Sequence, residues 1–529
     1  SGKTTSTYEL AVESETPVSY LCSRIDLYEE ATRYFRQHED AVPHFEESSV
    51  TEKTDTEKAT TYAVIPSPYR DCPSFLNDNS SNETLIRKKY ESGMSAYKLH
   101  MSKSTDILTK CGSDCPYIQK LQQIDYANDS IDILIGNHKH SHRESYVRDR
   151  IVVLDEFNAD AFLTEFPDVS TETNDDPRKT IPNFLNAVDG VESSFPTQTF
   201  SDITDILVKR FTHEDAAVAI EWFRSHGVSR DDAEGFDFLT ESLFQYDNTH
   251  LLAPFLTFSL FCMEPLGNDI EMAPHPNNDH LELWEDVGLS PSTRVIRDRN
   301  TNQMSVLRPP DLSLAKQVIG LDGLPTPELW DLLLPPDSSF SHQQVLEKSD
   351  FISYLKDGLN MSLTQVGGGM YHYASGRISS KDEQRLKAIT LIEDAPVPVI
   401  STKRALKEYY NDGLLSKYVS ETTEHEDNET NFEYESLLAR NFAQVKSSNE
   451  FEEEALGAVM GTPYPGDDVV RRWAGLCGRG VEVTGTGQQR TFGEFGDRVY
   501  RHLTHNQVVQ AILRFGRDES VYEQEGAQV

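Results

Sequence analysis

The chain has 529 residues, of which 87 are acidic and 49 basic, so its formal net charge is −38 and its isoelectric point is about 4.7. This length predicts three or four domains. The acidic residues are spread along the chain, which favours adaptation to multimolar salt over an ordinary acidic cytosolic protein. Net acidity does not exclude nucleic-acid binding, but such binding would require a local cluster of basic residues.

The sequence contains no apolar segment near the roughly 20 residues that cross a bilayer. Its longest apolar run, Leu251–Cys262, includes a proline and predicts a core helix. Six cysteines are too few for the disulfide framework of a small secreted domain. We therefore expect a cytoplasmic protein without a membrane partner, and a chain that is a piece of a longer protein, cut at both ends.

The chain begins with Ser1-Gly2-Lys3-Thr4-Thr5, which matches the end of a phosphate-binding loop of the G-x-x-x-x-G-K-[ST] type. Backbone N–H groups in such a loop bind phosphate, Lys3 would reach the β- and γ-phosphates, and Thr4 would complete the shell of Mg²⁺. The alternative is a disordered Ser/Thr-rich terminus.

Val18–Arg24 predicts a short strand, and a helical run follows it. Further along, Cys72, Cys111 and Cys115 precede an apolar strand, Ile131–His138. Alternating histidines follow that strand, and they would share one face if the backbone were extended.

Arg150–Asn158 predicts a strand that is buried on both faces and ends in Asp155 and Glu156. Ligands of open α/β sheets bind at the carboxyl ends of the strands. Asp155 would hold Mg²⁺, and Glu156 would orient or deprotonate the attacking water. The alternative is an acidic N-cap of the next helix.

The remaining elements are a helical stretch, a hairpin and strand–helix units. Residues 159–290 predict a mostly helical insert, with helices at 184–188, 203–211, 215–226, 236–246 and 251–262. Residues 293–308 predict a hairpin, and the acidic residues 419–433 predict a loop. Gln317–Pro327 predicts a strand followed by a turn that contains Thr326. Residues 396–410 predict a strand followed by a helix, and 455–460 predict another strand.

Near the end, Gln510–Arg517 has the pattern Q-x-x-x-R-x-x-R and resembles motif VI of superfamily 2 helicases. A helix would place Arg514 and Arg517 on one face, where they would act with Gln510 at the γ-phosphate as arginine fingers. The alternative is an ordinary amphipathic helix with solvated arginines.

The order of these motifs resembles the XPD/DinG-type iron–sulfur helicases of superfamily 2, in a divergent member from a haloarchaeon or from a haloarchaeal virus or plasmid. The resemblance implies an α/β fold with two RecA-like P-loop NTPase domains, parallel sheets flanked by helices, and two inserts in the first domain. The implied boundaries are 1–158 for the first motor domain, 61–120 for its cysteine-rich insert, 159–290 for a helical arch-like insert, 291–337 for the return to the first motor domain, and 338–529 for the second.

The family binds a [4Fe–4S] cluster through four insert cysteines, but this insert has only Cys72, Cys111 and Cys115. Cys22 or His100 is the candidate fourth ligand. Three cysteines and one histidine would equally suit Zn²⁺. An iron–sulfur cluster, zinc and a vestigial insert without metal therefore all stay open, in that order of preference.

The resemblance implies an ATP-dependent DNA helicase or translocase that uses ATP and Mg²⁺ and acts on single-stranded or forked DNA. It also implies that Arg24 and Thr326 contact the DNA, although a plain strand-turn is the alternative at Thr326. The alternative is a nucleic-acid-dependent ATPase switch or loader that does not separate strands. The direction of translocation and a role in repair or in replication do not follow from the residues.

Overall fold

The computed structural model describes residues 3–45, 59–76, 86, 88–101, 114–156, 159–169, 181–182, 184, 217–219, 221, 229–231, 235–237, 250–274, 292–335, 338–345, 347–367, 373–393, 397–411, 439–445, 450–523 and 526–529. The chain forms two compact units. The first comprises Ser1–Phe340 with Gly475–Gly480, and the second Ser341–Ala474 with Val481–Val529.

The strands of the first unit are β1 (Val18–Cys22), β2 (Ala41–Pro43), β3 (Thr60–Val64), β4 (Ile133–Asn137), β5 (Ile151–Asp155), β6 (Leu163–Phe166), β7 (Ser229–Asp231), β8 (Gly235–Asp237), β9 (Glu264–Gly267), β10 (Ile270–Ala273), β11 (Arg294–Asp298), β12 (Gln303–Leu307) and β13 (Gln317–Leu321). Its helices are α1 (Lys3–Glu13), α2 (Ile25–Gln37), α3 (Pro68–Asp71), α4 (Pro73–Leu76), α5 (Ala96–Met101), α6 (Pro116–Ala127), α7 (Ala253–Phe261) and α8 (Pro327–Trp330).

A parallel sheet with the strand order β13-β5-β1-β4-β3-β2 lies at the centre of the first unit, counted over the described residues. Its inner strands are continuous apolar runs, because both faces of the sheet are covered. Tyr8 of α1 and Phe35 of α2 pack on one face with Tyr20, whereas Ile118 of α6 packs on the other face with Leu134. The mixed α/β class predicted from the sequence is confirmed, and the sheet is compatible with a RecA-like core.

Arg150 connects the amino ends of the central strands through hydrogen bonds. Its guanidinium is buried and donates hydrogen bonds to the Ser19 hydroxyl at 3.0 Å and to the carbonyls of Val18 at 3.1 Å, Ile131 at 2.9 Å and Asp132 at 3.1 Å. Burial lowers the pKa of Arg150 to about 10. One side chain thus connects β1, β4 and the start of β5, and the sequence analysis did not identify this role.

A second, antiparallel sheet has the strand order β6-β12-β11-β10-β9. The described part of 159–290, which was predicted to be mostly helical, also contains the strands β6, β9 and β10. The predicted helix at 236–246 is also wrong at its start, where β8 lies. The turn Gly267-Asn268-Asp269 joins β9 to β10, and all three of its residues have positive φ. A Gly-Asn-Asp sequence is typical of such a hairpin turn, but this hairpin was not predicted.

Other elements match their predictions. The hairpin of β11 and β12 is confirmed, and so is the core helix α7. The predicted start of the cysteine-rich insert at residue 61 is corrected, because β3 pairs with β4 in the parallel sheet and so belongs to the core. The predicted helices at 203–211 and the predicted loop at 419–433 lie outside the described residues.

The second unit contains β14 (Val399–Ser401), β15 (Ala439–Asn441) and β16 (Ala458–Val459), and β14 pairs in parallel with both others. Its helices are α9 (Lys348–Ser353), α10 (Ser380–Glu393), α11 (Lys403–Asn411), α12 (Phe442–Val445), α13 (Asp467–Leu476), α14 (Gly493–Leu503), α15 (His505–Ile512) and α16 (Glu519–Tyr522). The predicted strand–helix unit at 396–410 is confirmed by β14 and α11. The strand predicted at 455–460 is shorter, since β16 has two residues.

In the parts of the chain that the structure describes, every helix is too short or too polar to cross a membrane.

Replacing Arg150 with methionine should destabilise the first unit strongly. The change removes the hydrogen bonds that a buried guanidinium donates to four oxygens, and hydrogen bonds to a charged group contribute about 1.5–3 kcal/mol each. We therefore expect Arg150→Met to lower the free energy of unfolding by at least about 3 kcal/mol. Urea unfolding in concentrated KCl measures this. The matched control is Arg148→Met, which breaks an exposed ion pair with Glu144 and should cost about 0–1 kcal/mol. Equal losses in the two variants would contradict the role of Arg150.

Candidate nucleotide edge, basic groove and metal centre

The carboxyl ends of the central strands form one edge of the parallel sheet, which we call the nucleotide edge because the sequence motifs predict a nucleotide there. Cys22 of β1 is in register with Asn137 of β4 and with Asp155 of β5, and Asp155 is in register with Leu321 of β13. These four positions and the residues after them line up where ligands bind in open α/β sheets. The structure therefore places Asp155 and Glu156 at the edge that the sequence predicted.

Asp155 is a buried carboxylate held by a tyrosine. It is 6% exposed, and the Tyr20 hydroxyl donates a hydrogen bond to its Oδ2 at 2.5 Å. The Tyr20 ring in turn packs 4.9 Å from the ring of Tyr8 in α1. The chain Tyr8–Tyr20–Asp155 links α1 to the end of β5, so Asp155 has a fixed orientation.

Glu156 has a backbone conformation that is uncommon outside glycine. Its φ is +60°, while its N–H donates to the Leu321 carbonyl at 2.8 Å. The left-handed region costs an L-residue with a side chain about 1–2 kcal/mol. Strain of this kind is concentrated at functional sites, where the surrounding structure maintains it. The strain marks Glu156 as a candidate functional residue independently of the motif.

The nucleotide edge has a negative electrostatic potential. Burial, followed by the charges of Asp155, Glu30 and Glu156, raises the pKa of the Cys22 thiol well above its usual value. Oxygen donors in a negative field suit a hard cation such as Mg²⁺. Cys22 therefore lies at this edge, and it is not one of the residues that group with Cys72 and Cys115.

The other residues predicted to bind nucleotide lie at the start of α1. Lys3 is its first residue, Thr4 is partly buried and Thr5 is exposed. Ser1 and Gly2 lie outside the described residues. Lys3, Thr4 and Thr5 lie in a helix, which is the element that follows a phosphate-binding loop of this type.

The histidines after β4 do not alternate on an extended backbone. His138–His142 forms a 3₁₀-helix, and the Asn137 N–H donates to Nδ1 of His140 at 2.9 Å. Burial, aided by the positive charges of Arg143 and Arg70, lowers the pKa of His140 to about 3. His140 thus acts as a neutral cap of this turn.

The two residues predicted to contact DNA have different environments. Arg24 is half-buried at the N-cap of α2, just after β1. Thr326 precedes α8 and is 8% exposed, with little surface for a nucleic-acid strand. Only Arg24 therefore presents substantial surface at its predicted position.

The helix predicted for motif VI ends too early to carry both arginines, which corrects the expectation of a shared helical face. Gln510 lies in α15, but Arg514 follows the helix in a turn and Arg517 lies beyond it. Gly516 has a φ of +57°, a conformation that interrupts a helix, and the preceding Phe515 is fully buried. A buried aromatic residue and a left-handed glycine therefore separate the two arginines.

A groove of about 680 Å³ lies beside α2 and is richer in basic than in acidic side chains. Its cations are Arg33, Arg36, Arg70 and Lys120, and its carboxylates are Glu29 and Asp71. Four positive and two negative charges leave a local charge of +2 in a chain whose net charge is −38.

The carboxylate of Asp71 pairs with Arg70 at 3.0 Å and with Lys120 at 2.7 Å, so one anion joins two walls of the groove. Arg33 and Arg36 are exposed, and Phe45 at the rim is 43% exposed. We call this feature the basic groove. The sequence analysis missed it, although Arg33-x-x-Arg36 on one helix face is a visible signal in so acidic a chain.

Cys72, His100 and Cys115 converge on one point in the first unit, and we call them the metal group. Their ligand atoms all lie within 4.8 Å of one another, and the three residues are 0%, 5% and 0% exposed. The group can hold a metal ion. Of the two predicted candidates for an additional ligand, the structure brings His100 to the cysteines. Cys111 lies outside the described residues.

Both cysteines have an extended backbone conformation for the same reason, because a proline follows each of them. Cys72 precedes Pro73 of α4, and Cys115 precedes Pro116 of α6. A residue before proline is restricted to extended conformations, and both cysteines adopt one, with ψ of 117° and 128°. Proline is also favoured at the first position of a helix. The repeated Cys-Pro dipeptide therefore sets both thiols at helix starts.

Comparison of the sequence with models of known protein families finds no match, and comparison with curated proteins finds no similar sequence.

Stability should depend on pH through His140. The unfolded chain binds a proton on this side chain near pH 6.5, whereas the folded chain keeps it neutral down to about 3, so its contribution to stability is lost as the pH falls below 6.5. His140→Asn retains an acceptor for the Asn137 N–H but does not titrate. Urea unfolding should show that the stability advantage of the wild type over this variant shrinks from about pH 7 to about pH 4. An advantage independent of pH would contradict this role.

Proposed function

We propose that this chain is an ATP-dependent motor that moves on single-stranded DNA and separates duplexes, with ATP hydrolysed at the nucleotide edge. The observation that carries the proposal is the strained, adjacent carboxylate pair Asp155-Glu156 at the end of a buried parallel strand. A rigid Asp next to a Glu held at positive φ supports metal binding and water activation at one edge. Two RecA-like domains with inserts remain part of this proposal.

Each residue at the edge has a proposed task. Lys3 contacts the β- and γ-phosphates, and Thr4 with Asp155 holds Mg²⁺, which supplies positive charge against the phosphates. Tyr20 keeps Asp155 in one orientation. Glu156 orients the attacking water and accepts its proton. The roles of Gln510, Arg514 and Arg517 rest on the sequence resemblance alone.

The basic groove supports binding of a nucleic-acid strand. Phosphates carry the negative charge that Arg33 and Arg36 would neutralise, and an exposed ring such as Phe45 offers a surface on which a base stacks. A local excess of positive charge is informative here because the rest of the chain repels a polyanion. We therefore assign the groove to single-stranded DNA.

Changing Glu156 should abolish ATP turnover without unfolding the protein. Glu156→Gln removes the negative charge at nearly constant size, and we expect DNA-stimulated ATP hydrolysis to fall by about 100-fold or more. Binding of a fluorescent ATP analogue should persist. Glu156→Gly should be equally inactive yet no less stable, because relief of about 1 kcal/mol of backbone strain offsets the entropy of glycine.

The matched control is Glu144→Gln, which alters an exposed glutamate in the same unit and should leave turnover unchanged. Full activity of Glu156→Gln would exclude Glu156 as the catalytic base. Absence of ATP hydrolysis in the wild type, with and without single strands, would reject the motor. ATPase activity without unwinding of a forked duplex would favour the switch or loader.

Removing two charges from the basic groove should weaken DNA binding. We expect Arg33→Gln with Arg36→Gln to reduce affinity for a labelled oligothymidylate and to make the slope of log affinity against log salt shallower by about 1.4, or about 0.7 for each lost phosphate contact. Fluorescence anisotropy over a KCl series measures both quantities.

The control for net charge is Arg148→Gln with Arg498→Gln, which removes one exposed and one half-buried arginine that do not line the groove. This pair should leave the salt slope unchanged. An equal loss of affinity in both double variants would mean that overall charge, and not the groove, determines binding.

A further inference from the structure

We infer that Cys72, His100 and Cys115 bind one zinc ion, with His100 as a ligand, in place of the four-thiolate iron–sulfur cluster that the resemblance implies. The metal centre stands independently of the proposed ATPase, because it rests on the donor atoms of the metal group and not on the nucleotide edge.

The spacing of the donor atoms fits a single ion. Thiolate and imidazole ligands lie about 2.3 Å and about 2.0–2.1 Å from zinc, so ligands of one tetrahedral ion are roughly 3.5–3.8 Å apart. Here Sγ of Cys72 lies 3.2 Å from Nε2 of His100, and all three donors lie within 4.8 Å of one another. A small adjustment of the side chains suffices to admit an ion.

The same spacing does not fit the cluster. In a [4Fe–4S] centre each protein ligand binds a different iron, so the ligand atoms are farther apart than those of one ion. The cluster is also held by four thiolates, whereas the group in the described residues has two thiols and an imidazole. Mixed sulfur and nitrogen donors at short range are typical of structural zinc.

The histidine is oriented for metal binding. Its Nδ1 lies 2.6 Å from the Ala96 carbonyl and donates its proton there, so the lone pair of Nε2 faces the Cys72 sulfur. Zinc-binding histidines commonly donate their second ring N–H to a carbonyl in this way, which fixes the tautomer. The rings of Phe75 and Tyr117 lie beside the imidazole and hold its plane.

The metal group is shielded from water, and its three residues come from separate segments of the chain. The metal group belongs to an apolar cluster with Leu99, Ile118 and Leu134, on one face of the parallel sheet. Cys72 ends α3, His100 lies in α5 and Cys115 starts α6. An ion at this point would cross-link these three chain segments.

The cross-link would also fix the basic groove. Arg70 and Asp71 directly precede Cys72, and Lys120 lies on the helix that Cys115 starts. The ion pair between Asp71 and Lys120 therefore joins the same two segments as the metal. A tetrahedral ion has a fourth position, and the inference does not depend on which donor fills it.

The first test is the metal content of the chain, purified without oxygen in concentrated KCl. We expect about one zinc per chain with neither iron nor sulfide. Replacement by Co²⁺ should give visible ligand-field bands with thiolate charge-transfer bands. X-ray absorption at the zinc edge should show both sulfur and nitrogen neighbours.

Variants of His100 test its role as a ligand. His100→Gln should lose zinc and the cobalt spectrum, whereas His100→Cys should keep the ion and show stronger thiolate charge transfer. The conservative thiolate variant separates loss of a ligand from a failure to fold. Cys262→Ser, at another buried cysteine outside the group, should behave as the wild type.

Three results would overturn the inference. Iron with sulfide in place of zinc would establish the cluster. Unchanged zinc affinity in His100→Gln would remove His100 from the site. A wild-type chain that binds neither zinc nor iron would leave only a buried hydrogen bond between a thiol and an imidazole.

Discussion

The first unit depends on a buried arginine at the amino ends of its central strands. Arg150 donates to oxygens of β1 and of the segment that enters β4, and it directly precedes β5. A guanidinium has donors in a rigid planar arrangement, so it accepts only one relative position of these strands. A one-residue slip would also move every side chain of a strand to the opposite face of the sheet, where it would meet different packing partners. The register set at this end determines which residues meet at the opposite end.

The two ends of the sheet differ in how their polar groups are satisfied. At the amino end, buried oxygens accept hydrogen bonds from Arg150, and these bonds stabilise the sheet. At the carboxyl end, Asp155 and Glu156 add negative charge to a buried edge, and Glu156 is held at a φ of +60°. Proteins maintain such strain where it serves a function, and the rigid sheet below supplies the constraint. This contrast is why the nucleotide edge carries the proposed function.

The metal group and the basic groove share their supports. The helix that Cys115 starts supplies Lys120, and the turn that contains Cys72 supplies Arg70 and Asp71. Short helices alone are marginal, so a cross-link at their ends has a large effect on their order. In a chain with so large a negative charge, a groove that binds a polyanion needs several basic side chains close together. Only then does their positive potential exceed the negative potential of the surrounding acidic surface.

The sequence by itself determined the features that depend on local pattern. Apolar runs predicted the strands β1, β4 and β5, a carboxylate pair marked the end of β5, and turn residues marked the hairpin of β11 and β12. Spacing alone wrongly placed Arg514 and Arg517 on one helix, because the helix ends at Ile512 and the left-handed Gly516 lies between the two arginines.

Only the tertiary structure decided the features that join distant segments. These are the role of Arg150, the choice of His100 over Cys22 beside the two cysteines, and the basic groove. Hydrogen bonds and ligand contacts across many residues of chain depend on how elements pack, and periodicity carries no information about that packing.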